Sequence, residues 1–137
     1  MNNDNILPKG TETVLIVDDQ ETIWDYLIEA LQTLGYTVLL AENGQDAVDI
    51  YQNNPNEIDL ILLDMIMPVL NGHDAFIEIQ KIDPDVCVLL SSGYVSEEEV
   101  QDLIKLGASG FLNKPHRLPV VAQAIRKVLD ERAVKKV

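Results

Sequence analysis

Thr13-Val14-Leu15-Ile16-Val17-Asp18-Asp19 sets five strand-forming residues in an unbroken run and then stops on two carboxylates. A strand with one wet face alternates apolar and polar residues. One that is apolar at nearly every position is covered on both faces, as in a parallel sheet flanked by helices. Strand interiors reject aspartate, so the strand ends at Val17 and the carboxylates stand at its exit. Working outward, Ile23, Leu27, Ala30, Leu31 and Leu34 recur mostly at steps of three and four, one face of an amphipathic helix. Gly35 follows where a left-handed cap is wanted. The unit then repeats. A strand over Tyr36–Leu40, a turn at Asn43-Gly44 and a helix over Gln45–Gln52 come next. Ile58–Leu63 is a third strand, ending at Asp64, and a loop with Pro68 and Gly72 leads to a helix around Ala75–Lys81. Val86–Leu90 is a fourth strand, ending at Ser91-Ser92-Gly93. Ser96 before Glu97, Glu98 and Glu99 reads as an N-cap with an acidic first turn, opening a helix that stops at Gly107. A short strand, Gly110–Leu112, runs into Asn113-Lys114-Pro115, and a last helix covers Leu118–Arg132. Five strand–helix alternations with short connections predict an α/β fold, a doubly wound five-stranded parallel sheet of (βα)5 form.

The 137 residues suit one domain, with residues 1–12 a flexible leader, 13–132 the folded unit and 133–137 a tail. At 47% hydrophobic the chain can bury a core. Ten Lys and Arg against 23 Asp and Glu give a net charge of −13, which argues against direct nucleic-acid binding. A single cysteine, Cys87, excludes an internal disulfide framework. No apolar stretch reaches the roughly 18 residues of a membrane span. The expected setting is cytoplasmic, without membrane insertion.

In doubly wound sheets functional groups gather outside the carboxyl ends of the strands. Here those ends carry Asp18-Asp19, Asp64, Ser91-Ser92 and Lys114. Three carboxylates in one crevice repel one another, and a hard divalent cation such as Mg²⁺, which takes oxygen ligands, resolves the conflict. One carboxylate can then act as a nucleophile towards phosphorus, with the metal, the lysine and a serine hydroxyl sharing the phosphoryl oxygens. The chain has no GxxxxGK[ST] stretch, which disfavours direct use of a nucleotide.

From Thr13 to Arg132 the sequence resembles the receiver domain of bacterial two-component response regulators. The resemblance rests on Val17-Asp18-Asp19, on Leu63-Asp64-Met65-Ile66-Met67-Pro68 with Gly72, on Leu90-Ser91-Ser92-Gly93, and on Phe111-Leu112-Asn113-Lys114-Pro115. It implies flavodoxin-like topology with strand order 2-1-3-4-5. It makes Asp64 both the phosphoacceptor and a Mg²⁺ ligand, Asp19 a direct Mg²⁺ ligand, Asp18 an outer metal partner through water, and the main-chain carbonyl of Ile66 a further ligand. Lys114 pairs with the phosphoryl group. Ser92, rather than Ser91, is the switch hydroxyl, because it stands 22 positions before Lys114 and is followed by a small residue. Alternation lets only one of the two serines face the site. Phe111 matches the aromatic switch. Ile66 and Tyr94 flank the route of attacking water, and their bulk should prolong the phosphorylated state.

The implied donor is a phosphohistidine on a histidine kinase or phosphotransfer domain. The implied output is the face of the fourth helix, fifth strand and fifth helix, also the expected homodimer surface. This is a signalling switch that assists its own phosphorylation and dephosphorylation, not a metabolic enzyme. It stands alone or forms the carboxyl-terminal receiver of a hybrid sensor kinase. Three rivals are a phosphorylation-independent interaction module, a Mg²⁺-dependent phosphohydrolase with an aspartate nucleophile, and a flavodoxin-like electron carrier, whose FMN phosphate Asp18-Asp19-Gln20-Glu21 would repel. The second would carry its nucleophile in a DxD at the first strand end, which Asp18-Asp19-Gln20 does not supply.

Overall fold

Residues 7–19, 21–65, 70–93, 96–114 and 117–135 are described in the computed structural model. Strands and helices alternate in the order β1 (Thr13–Val17), α1 (Glu21–Thr33), β2 (Thr37–Ala41), α2 (Gly44–Asn53), β3 (Leu60–Asp64), α3 (Gly72–Ile82), β4 (Val88–Ser92), α4 (Glu97–Lys105), β5 (Gly110–Asn113) and α5 (Leu118–Lys135). Every strand pair is parallel and the sheet order is β2-β1-β3-β4-β5, the topology expected. The chain winds outward from β1 to β2, then back past β1 to β3. The order therefore reverses between β1 and β3, and that reversal opens a crevice at their carboxyl ends.

The unbroken apolar runs split their side chains between two core layers. Leu15, Val17, Ile61, Leu63, Val88 and Leu90 pack with Tyr51, Phe76, Ile79 and Leu103 from α2, α3 and α4. Val14, Ile16, Leu60, Leu62 and Leu89 pack on the other face with Leu27 and Leu31 of α1 and with Val121, Ile125 and Leu129 of α5. All five residues of β3 are buried. Each buried Leu or Ile contributes about 1.5–3 kcal/mol relative to exposure, so the layers hold the strand ends in place.

Some boundaries differ from the sequence reading. β3 and β4 start two residues later and run through Asp64 and through Ser91 and Ser92. The backbone ladder, which sets a strand's length, continues under polar side chains: Asp64 is in register with Ser91, and Met65 N–H donates to the Ser91 carbonyl at 2.9 Å. α5 continues to Lys135, three residues past the expected end. The lead-in, expected to be flexible as far as Glu12, is bonded over its last four residues. Gly10 N–H donates to the Leu34 carbonyl at 3.1 Å, and Arg126 of α5 donates to the Lys9 carbonyl at 3.2 Å and to both Glu12 carboxylate oxygens at 2.6 and 3.0 Å. A single side chain far along the sequence closes that strap, and nothing local signals it.

Candidate functional site

Val17 is in register with Leu63, so the residues that follow, Asp18 and Asp64, leave neighbouring strands at the same level of the crevice. Asp18 N–H donates to the Ala41 carbonyl at 3.1 Å, which carries the backbone straight to the first carboxylate. Asp18 and Asp64 are only 2% and 3% exposed, whereas Asp19 is open to solvent. One carboxylate oxygen from each of the three lies within 4.8 Å of the others. Gly72 closes the floor, since a Cβ there would collide with the Asp64 carbonyl and Met65 Cα; its absence lets α3 begin directly beneath the β3 exit.

Lys114 reaches in from the end of β5. Its Nζ is 3.1 Å from Asp18 Oδ2 and 3.2 Å from Asp64 Oδ2, and its backbone N–H donates to the Ser92 carbonyl at 3.1 Å. Burial alone would lower the lysine pKa. The Asp18 and Asp64 carboxylates outweigh that and hold it above the ordinary value, so the side chain is an ammonium at neutral pH. Three carboxylates, two buried and one open to solvent, face this one ammonium across the crevice. Such a charge balance, with oxygen donors alone, fits a hard divalent cation of the Mg²⁺ kind. Among the described residues Asp18, Asp19 and Asp64 are the group that could hold it. Ile66 and Tyr94 lie outside the described residues, as does Pro115.

Both serines are buried, at 2% for Ser91 and 1% for Ser92. Register and spacing point to different members of the pair. Asp64 pairs with Ser91, and alternation continues Leu60 and Leu62, Cys87 and Leu89, to Asp64 and Ser91 on one face. Ser92 pairs with Asn113 and holds Lys114 through its carbonyl. Alternation admits one serine without saying which; the spacing to Lys114 selects Ser92, whereas the register sets Ser91 beside Asp64. Phe111 pairs with Leu90 and packs, half-buried, on the core layer that also receives Leu103 of α4.

The family model for the response regulator receiver domain matches residues 14–126. The chemotaxis protein CheY of Halobacterium salinarum is 34% identical over 116 residues, covering 85% of this chain and 95% of that protein. The sensor kinase CckA of Brucella abortus is 32% identical over 122 residues, but the chain spans 89% of itself and only 13% of that kinase. Among solved structures, the CheX-CheY-BeF3-Mg²⁺ complex from Borrelia burgdorferi superposes with a TM-score of 0.82 at 30% identity, covering 93% of this chain and 94% of that one. No helix among the described residues is long and apolar enough to cross a membrane. Family match, strand order and the grouping of acidic side chains at the sheet's carboxyl edge agree: the chain belongs to the response regulator receiver domain family and is a receiver of the CheY type.

Proposed function

We propose that the chain is a phosphoacceptor in a histidine-to-aspartate relay, with Asp64 as the acceptor. The observation that carries this reading is the convergence of Asp18, Asp19, Asp64 and Lys114 from three strand ends on one crevice. Asp64 Oδ forms a bond to phosphorus as the phosphorus–nitrogen bond of a donor phosphohistidine breaks, and the bonding pair returns to the imidazole. A bound Mg²⁺ would supply neutralisation of charge on the phosphoryl oxygens. Lys114 releases Asp64 from its ion pair and takes up a phosphoryl oxygen instead, while Asp18 keeps the ammonium near the crevice. Asp18, Asp19 and Asp64 would hold the cation, and the main-chain carbonyl of Ile66, which lies outside the described residues, is the further expected ligand.

The switch runs through Ser92 and Phe111 to the face of α4, β5 and α5. Ser92 is joined to Lys114 by backbone, and Phe111 lies on the layer under α4, which supports that route. Exposed Ile104, Leu106 and Val120 make the same face suited to self-association. Donors of the right chemistry are histidine kinases and phosphotransfer domains, for a free-standing receiver or for one within a hybrid kinase. Residues 13–132 form the working unit, and Ile66 and Tyr94 slow the attack of water on the acyl phosphate.

Incubation with acetyl phosphate and Mg²⁺ tests the acceptor. Intact mass should show one phosphate adduct on the wild type and none on Asp64→Asn. An adduct on both proteins would remove Asp64 from the role, and absence of any adduct from the wild type would favour the phosphorylation-independent module.

A further inference from the structure

β2 ends the sheet on one side, with β1 as its neighbour and no strand beyond it among the described residues. Thr37 N–H donates to the Glu12 carbonyl and the Ala41 carbonyl accepts from Asp18 N–H, each at 3.1 Å, so the odd positions of β2 bond inward to β1. Backbone groups alternate along a strand, which turns the N–H and C=O of Val38 and Leu40 outward. An exposed edge is a template for another strand, and proteins blunt such edges with charge, proline or a bulge. Thr37-Val38-Leu39-Leu40-Ala41 has neither a charged residue nor a proline, and it runs in unbroken register with β1 over its five residues. Leu40 keeps 38% of its exposure, and Val38 and Leu39 are half-buried, whereas β1, β3 and β4 are almost wholly closed to solvent.

We propose that this edge is a docking surface for a second copy of the chain, the two β2 strands pairing antiparallel about a two-fold axis at Leu39. The strand is self-complementary in that register. Val38 of each copy stands opposite Leu40 of the other and exchanges both backbone bonds with it, and the two Leu39 residues meet on the axis. The side chains fit as well. Val38 packs on the layer with α1 and α5, and Leu39 on the layer with α2, α3 and α4. Leu40 lies on the same face as Val38, so its exposed side is covered by Val38 of the other copy. Glu42 falls opposite Tyr36 of the other copy, and no two carboxylates meet along the strand. An edge of five residues makes a contact at the small end of specific interfaces, so the pair forms at high concentration and parts on dilution. The two acidic crevices open at opposite ends of the joined sheet, and β5 stands at the far edge, away from the contact.

Sedimentation of the unphosphorylated full chain over a range of concentrations, with amide-resolved hydrogen exchange, tests this. Dimers should appear as the concentration rises. Exchange at Val38 and Leu40 should slow by about tenfold once most chains are paired, whereas Leu39, bonded to β1, stays protected throughout. Added NaCl should tighten the dimer, because each copy carries a net charge of −13 and screening relieves the repulsion. Leu40→Lys sets a charge on the edge and should weaken the dimer by about tenfold or more, although it lessens the repulsion between copies. Leu106→Lys makes the same change of charge at an exposed residue beyond α4 and should leave the dimer intact. A chain that stays monomeric at every concentration overturns the proposal, as does a dimer dispersed by salt, or one broken by Leu106→Lys and not by Leu40→Lys. Protection of Val38 and Leu40 that does not vary with concentration would mean that a segment of the same chain covers the edge, and it overturns the proposal equally. The wild-type dilution series decides the matter even should Leu40→Lys fail to fold. No readout involves Asp64, so each outcome leaves the phosphoacceptor reading where it stands.

Discussion

Asp18 and Asp64 are almost wholly withdrawn from water, and Lys114 is bonded to both while its own side chain keeps 20% of its exposure. Removing one partner of such a group leaves charge buried without compensation, which typically costs about 3–5 kcal/mol in a dry site and less where water reaches the pair. Lys114→Met should therefore lose about 1–3 kcal/mol in urea unfolding with EDTA present. Mg²⁺ should restore more stability to the variant than it adds to the wild type, because a binding cation then meets no competing ammonium. An unchanged midpoint in EDTA would show that the ion pairs do not hold the resting pocket together. The four charged residues were legible in the sequence because each follows an apolar run that becomes a strand, and strand exits share an edge. The serine was not, because its facing depends on a register that no local pattern encodes. The two signals can be separated by kinetics. Ser92→Ala should slow adduct formation on Asp64 by about tenfold or more, the value of one charge-assisted hydrogen bond, and Ser91→Ala should leave it near wild type. The opposite ranking would hand the hydroxyl role to the register partner of Asp64.

At the scale of elements, helix ends separate two kinds of glycine. Gly35 and Gly107 both adopt left-handed backbone, at φ +108° and +123°, and both close helices where the sequence places them. Their surroundings differ. A Cβ on Gly35 would collide with the backbone carbonyl of Gly10, whereas one on Gly107 meets only the end of the Gln80 side chain, which can swing aside. Both alanine variants carry the conformational penalty of about 1 kcal/mol, but Gly35→Ala must also displace the lead-in. Its loss in thermal or urea unfolding should exceed that of Gly107→Ala by about 1 kcal/mol. Equal losses would mean that the lead-in yields freely. The Ser96 cap was readable from its three following glutamates. Asn43 and Asn71 cap α2 and α3, their side chains accepting from Asp46 and Asp74 N–H at 2.8 and 2.9 Å, where the sequence pattern gives a turn and a loop. Asn before Gly looks like a turn in sequence, and only the geometry shows the side chain bending back to close the next helix.

Over the whole molecule, net charge of −13 makes each placed cation count, and Arg126 joins the two ends of the described chain. It donates to Glu12 and to Tyr36 Oη, and through Nε to Asp130 at 2.9 Å, so α5, the lead-in and the residue just before β2 meet at one guanidinium. Glu12 and Arg126 stand 114 positions apart, which is why a polar, proline- and glycine-containing leader reads as loose although its end is bolted down. The hydrogen bonds from Arg126 hold the Glu12 carboxyl at about 2, against an ordinary value of 4.5. A depressed folded-state pKa means that the unfolded chain binds the proton first on acidification. The strap's contribution is therefore complete above pH 4.5 and is lost as the pH falls towards 2. Both side chains keep about a quarter of their exposure, so the pair is worth about 1 kcal/mol rather than the several of a dry one. Arg126→Gln should accordingly lie about 1 kcal/mol below wild type near neutrality, and the gap should close between pH 4.5 and 2 as Glu12 takes up its proton in the wild type. Urea unfolding of the two proteins in parallel at several pH values measures that gap directly. A gap that stays constant into acid would assign the loss to the packing of the arginine stem, and Glu12→Gln, which keeps the shape and removes the titration, should then show no pH-dependent difference from wild type either.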